Sequence, residues 1–183
     1  MKKQLLENDK RKIANEQVKA KIRLTLLELL KEQNALDISV TELTQRAGVA
    51  RSSFYRNYNS LEDIIQEIID GMIADYEKIK TDKKEDFHDY EFIMHIFKFY
   101  EKYADIVMTV QAANLSVNIL EEVTNYILNA NGDMKNSSIS KYELYYYAGA
   151  GHSVIQQWIK SGMKESPEEM AKEFCRISCN QNY

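Results

Sequence analysis

The sequence predicts an all-α protein of about nine helices, and three observations carry that expectation. Apolar residues recur at three- and four-residue spacing along most of the chain. Six glycines and one proline are too few to turn an all-β chain of 183 residues. Start and stop signals punctuate the periodic stretches: Ser39, Ser60, Ser140 and Ser166 each precede an acid by three residues, and Gly48 and Gly162 follow helical runs.

Val18, Ile22, Leu26 and Leu29 share one face, which predicts a first helix over 10–33 with Lys19, Arg23 and Lys31 on the opposite side. Ser39 and Glu42 form a capping box for a second helix ending near Ala47, where Gly48 supplies a left-handed stop. A third helix spans 50–58. Ser60 and Asp63 open a fourth, whose stripe Ile64, Ile65, Ile68, Ile69, Met72, Ile73 and Tyr76 is wide enough to face two neighbours. The charged segment 81–89 reads as a linker. Beyond it the spacing predicts helices over 92–100, 104–113 and 116–130, then a polar loop over 131–138. A long helix over 140–160 stops at Gly162, and Ser166-Pro167-Glu168-Glu169 starts the last one, to Cys179. The expected organisation is a first domain over 1–60, a connecting helix over 61–80 and a helical domain over 81–183.

Charge is unevenly distributed. Residues 1–60 carry 12 Lys+Arg against 7 Asp+Glu, a net of +5, whereas 61–183 carry 12 against 21, a net of −9. A basic start on an acidic body suits a protein that offers one end to phosphates, although a solvated lysine-rich helix face gives the same count. Cys175 and Cys179, with scattered His88, His95 and His152, make neither a disulfide framework nor a metal site. No nucleophile–base pair or phosphate-cradling glycine loop is present, so neither an enzyme nor a cofactor is expected. No apolar run has the length of a membrane span, and the polar start lacks a signal-peptide core. The expectation is a cytoplasmic protein with no membrane partner.

The stretch Val40–Tyr58, VTELTQRAGVARSSFYRNY, carries the most chemistry. Val40, Leu43, Ala47, Val49 and Phe54 fall on inward positions of two short helices joined by a glycine turn. Arg51, Ser52, Ser53, Tyr55, Arg56 and Asn57 then point outward from the second helix. Arginine can pair with guanine and asparagine with adenine, hydroxyls reach phosphates or base edges, and Thr41 sits where a phosphate meets a helix start. These residue types also serve a plain solvated hairpin; their order decides between the two.

That order resembles the DNA-binding domain of TetR-family transcriptional regulators. VTELTQRAGV matches the second helix and its alanine-glycine-valine turn, FYRNY the end of the recognition helix, and SLEDII the acidic start of the next helix. The resemblance covers residues 13–75. It implies an all-α homodimer whose first three helices bind a pseudo-palindromic operator in double-stranded DNA, with Arg51, Ser52 and Ser53 near bases and Tyr55 and Asn57 at phosphate or base. It further implies a carboxy-terminal regulatory pocket and dimer interface. Two positions depart from the family: Ala50 replaces the usual serine cap, and Leu61 replaces a lysine that commonly meets a phosphate. The basic extension Lys10-Arg11-Lys12 either offsets this weaker anchoring or plays no part.

The end of the chain, YYYAGAGHSVIQQWIKSGMKESPEEMAKEF, is similar to a Firmicute subgroup linked with dihydroxyacetone kinase operons, in which some members activate through a protein co-regulator. A repressor released by a small-molecule effector is the main expectation and an activator acting through a protein co-regulator the alternative. Glycine is costly inside a helix, so Gly149 and Gly151 call for close helix approach or room for a ligand. The expected dimer face adds Ile155, Trp158, Met170 and Phe174. The tyrosine-rich remainder offers Tyr100, Tyr103, Met108, Gln111, Tyr146 and His152 as a candidate effector set.

Overall fold

The structure is a computed structural model that describes residues 2–79, 87–113, 122, 125–126 and 140–179. Among these it contains seven α-helices and no strand: α1 (Lys2–Glu32), α2 (Val40–Arg46), α3 (Arg51–Asn57), α4 (Leu61–Ile79), α5 (Tyr90–Ala112), α6 (Ser140–Lys160) and α7 (Pro167–Cys179), with a 3-10 turn at Ala35–Asp37. The all-helical expectation holds. The predicted helix over 116–130 and loop over 131–138 lie largely outside the described residues, although Glu122, Asn125 and Tyr126 are helical.

Three boundaries differ from expectation. The predicted helices over 92–100 and 104–113 are one continuous α5. Between Tyr100 and Ala104 stand only Glu101, Lys102 and Tyr103, none of which breaks a helix, so the polar pair marks a solvent face and not an end. The predicted linker over 81–89 closes on structure: Phe87 is buried and stacks on Tyr147 with centroids 5.1 Å apart. Asp89 then caps α5 by accepting from the Phe92 N–H at 3.0 Å. The first helix also starts earlier than expected, at Lys2, since nothing in KKQLLEND interrupts it.

The chain forms two compact units, Met1–Ala74 with Thr109–Val117, and Asp75–Met108 with Asn118–Tyr183. In the first, α1 packs on α2 and α3, and α2 on α3. Ile22, Leu26, Leu29, Leu43, Phe54, Ile64 and Ile65 are fully buried. Both glycine stops are Schellman turns. At α2 the Gly48 and Val49 N–H groups donate to Gln45 O and Thr44 O, with Gly48 at φ +64°. At α6 the Gly162 and Met163 N–H groups donate to Ile159 O and Trp158 O, with Gly162 at φ +87°.

In the second unit Phe97 of α5 sits edge-to-face on Trp158 of α6 at 5.4 Å and on Phe174 of α7 at 6.4 Å. Lys98 and Glu168 pair at 2.8 Å between α5 and α7. The start of α7 is a complete capping box: Ser166 N–H donates to Glu169 Oε2, and Glu169 N–H donates to Ser166 Oγ. Among the described residues no helix is long and apolar enough to cross a membrane.

Candidate nucleic-acid interface

The helix-turn-helix is built from α2, the Ala47–Ala50 turn and α3. Ser39 caps α2 by accepting from the Glu42 N–H at 3.1 Å. Glu42 gives its own carboxylate to Gln33 Nε2 at 3.0 Å, which ties α2 to the end of α1. Arg46, at the other end of α2, forks onto Glu32 of α1 and holds that carboxyl below its usual range through the hydrogen bond. Inside, Leu43 and Phe54 are fully buried, and Thr44 is buried with its hydroxyl donating to Val40 O and Thr41 O. Val40, Ala47 and Val49 are half-buried.

With Phe54 inward, α3 turns Arg51, Ser52, Tyr55 and Arg56 to solvent, and Ser53 is half-buried. Arg51 and Tyr55 act as a pair: Arg51 Nη2 donates to the Tyr55 hydroxyl at 3.1 Å, and the guanidinium carbon lies 5.5 Å from the ring centroid. Phe54 in turn supports the Tyr55 ring edge-on at 5.2 Å. A long side chain is thereby held in one direction on an exposed surface. Thr41 is exposed in the first turn of α2. Ala50 makes no side-chain cap bond to α3.

Asn57 occupies a different setting from its neighbours. Its Nδ2 donates to Ser53 O at 2.8 Å and to Asn15 Oδ1 at 3.2 Å, and its Oδ1 accepts from Asn15 Nδ2 at 2.8 Å. A half-buried amide with these bonds fastens α3 to α1.

The element the sequence reading missed is Glu67 of α4. It accepts from Lys19 at 2.7 Å, Arg23 at 2.6 Å and the Tyr58 hydroxyl at 2.6 Å, joining α1, the end of α3 and α4. Partial burial disfavours its charge, but Lys19, Tyr58 and Arg23 outweigh that and hold its carboxyl below the usual range. Burial and the adjacent Glu67 push the Tyr58 hydroxyl well up, so it stays a donor. An acid inside an isoleucine stripe was the available signal, because such a charge demands partners.

The carboxy-terminal candidates separate. Ile155, Trp158 and Phe174, expected at a dimer face, are buried within the protomer, and Trp158 Nε1 donates to Glu165 O at 2.9 Å. Trp158 and Phe174 both stand edge-on to Phe97 of α5. Gly149, Gly151 and Met170 remain partly exposed, and a Cβ at either glycine would meet nothing within 4 Å.

Of the effector candidates, Tyr103 donates to Asp75, and His152 pairs with Gln156 while burial lowers its basicity. Tyr100 is pushed up to about 12 by burial, Met108 is half-buried and Tyr146 is exposed. Gln111 falls in the first compact unit and the other five in the second. Among the described residues no group of His, Cys, Asp and Glu could hold a metal ion.

Residues 88–179 match a TetR family model described as a transcriptional regulator C-terminal region. No curated protein matches the chain. A TetR transcriptional regulator from Streptococcus agalactiae 2603V is similar at 19% identity and TM-score 0.67, over 91% of this chain and 96% of that one. The dihydroxyacetone kinase operon activator DhaS is similar at 15% identity and TM-score 0.58, over 90% and 95%. A TetR transcriptional regulator from Rhodococcus sp. RHA1 gives 16% identity and TM-score 0.54, over 92% and 98%. At these identities the solved structures speak for the fold, and the family model, spanning half of the sequence, speaks for descent. The chain belongs to the TetR family of transcriptional regulators.

Proposed function

We propose that this regulator is a cytoplasmic homodimer that binds a pseudo-palindromic operator through α3. The observation that carries the reading is the split of α3 into a fully buried Phe54 and an exposed face bearing the oriented Arg51–Tyr55 pair. A fixed guanidinium on a protruding helix suits bidentate contact to guanine, with Ser52, Ser53 and Arg56 beside it and Thr41 at a phosphate. Symmetric copies would place two such helices in major grooves about one helical turn, roughly 34–36 Å, apart. Gly149, Gly151 and Met170 supply open surface for the second copy.

The regulatory reading is repression relieved by a small molecule. Gln111 supports it, because its Oε1 is buried with no hydrogen-bond partner among the described residues and could accept from a ligand. Activation through a protein co-regulator is favoured by a different observation: Tyr142, Tyr145 and Tyr146 are all exposed on α6, a surface that a protein would cover.

In anisotropy titrations on a duplex selected by the wild type from a random library, Arg51→Ala is expected to lose base preference at one position. The loss should be about 1–3 kcal/mol in discrimination, with binding to unrelated duplex little changed. Preference retained at every position would remove Arg51 from the base-reading set.

A further inference from the structure

Arg51 and Tyr55 stand four residues apart on α3, the spacing that brings two helical side chains together on one face. Both are exposed, so no core packing forces them to meet. They nevertheless touch in two ways, through the 3.1 Å hydrogen bond from Arg51 Nη2 to the Tyr55 hydroxyl and through the ring face, 5.5 Å from the guanidinium carbon. The tyrosine is itself restrained from below. Its ring stands edge-on to Phe54 at 5.2 Å with an interplanar angle of 87°, and Phe54 is fully buried. A chain of contacts thus runs from the packed interior of the amino-terminal unit out to a guanidinium in solvent.

The donor count says what this restraint can do. A guanidinium carries five N–H donors in a planar fork, and a bidentate contact to guanine O6 and N7 takes two of them. The bond to Tyr55 takes one and leaves four. The hydroxyl can therefore stay attached while the fork reads a base. A loose arginine that meets the wrong base turns away to a nearby phosphate and loses little by the mismatch. A held arginine has no such escape, and its unmatched donors penalise the wrong site. Specificity is a difference of affinities, so a restraint that worsens the wrong complex raises it as surely as a new contact in the right one.

We propose that Tyr55 is a specificity-determining residue that acts through Arg51. Its hydroxyl and ring hold the guanidinium toward one base edge, and the pair reads that base pair as a single unit. Tyr55 is a positioning residue in this role. The proposal deepens the operator-binding reading and rests on it.

The test is a double-mutant cycle by anisotropy on the duplex that wild type selects from a random-sequence library, together with its single-base-pair variants. Arg51→Ala first marks the base pair that Arg51 reads. Tyr55→Phe keeps the ring and its contact with Phe54 and removes only the hydroxyl, and its melt by circular dichroism should match wild type. It is expected to lose about 3- to 10-fold of discrimination at the marked base pair, the worth of one hydrogen bond, and to rank the other positions as wild type does. In R51A/Y55F the second change should add nothing at that base pair, because the two residues act together. In the free protein, the NMR order parameter of the Arg51 Nε–H should fall in Tyr55→Phe. Equal weakening on every duplex, as for a hydroxyl that only meets a phosphate, overturns the proposal. So does additivity in the double variant, or an unchanged order parameter. Failure of Arg51→Ala to mark a base pair removes Arg51 from base reading and the proposal with it. Failure of wild type to select any duplex instead removes the operator-binding reading beneath both.

Discussion

Trp158→Ala is expected to destabilise the carboxy-terminal unit by about 3–5 kcal/mol, the cost of deleting a large aromatic side chain from a packed core. Trp158 is only 2% exposed, stands edge-to-face on Phe97, and its indole N–H satisfies Glu165 O in the connection before α7. Deletion would leave a cavity between α5 and α6 and a carbonyl without its donor, and the two costs act together. Because these contacts lie within one protomer, the drop in melting temperature should be the same at low and high protein concentration. A drop that vanished at high concentration would instead place Trp158 at the face between copies, since dimerisation stabilises by mass action. Trp158→Phe should keep the ring contact, lose the indole bond and cost less than alanine.

Glu67→Ala is expected to cost about 1–3 kcal/mol, between the values for an exposed and a buried ion pair. The carboxylate and its two cations are 21–28% exposed, so solvent screens them in part. Without Glu67, Arg23 loses this anion, Lys19 keeps only Glu16 at 3.6 Å, and the Tyr58 hydroxyl loses its acceptor. The damage should spread to α3, since Tyr58 follows it directly, and show as lost operator binding as well as a lower melting temperature.

The pH dependence has a definite sign. A carboxyl whose folded pKa is depressed binds protons more readily when unfolded. Its contribution is therefore present above the unfolded value, about 4.3 for glutamate, and is lost as pH falls through the lower folded value. Wild type should lose this contribution in melts taken as pH falls below about 4.3, the unfolded value, and Glu67→Gln should lack that portion of the slope. Identical profiles for the two proteins would show that Glu67 does not carry it.

The helix-turn-helix was legible because its determinants are local. Ser39 must accept an N–H, Gly48 must adopt positive φ, and Phe54 must turn inward if its neighbours turn outward. The carboxy-terminal stripe was legible as apolar, but periodicity does not say what covers it. Ile155, Trp158 and Phe174 would show the same spacing against α5 or against a second copy. Phe87 was hidden for the opposite reason, one aromatic in a charged stretch whose partner, Tyr147, lies sixty residues on. Asn57 suits base reading by its residue type, and its bonds to Asn15, 42 residues earlier, leave no trace in the local pattern.

The bare start of α3 has a consequence for how long that helix lives. Seven residues lie far below the length at which a helix persists alone in water, and Ala50 offers no side-chain bond to its first amides. The lifetime of α3 is therefore the residence time of Phe54 in its socket and of Asn57 on Asn15. The amide protons of α3 should exchange with solvent together, in one opening event, and faster than those in the middle of α1. The exposed face of α3 is kept in shape by docking, and whatever loosens that docking erases the face as a whole.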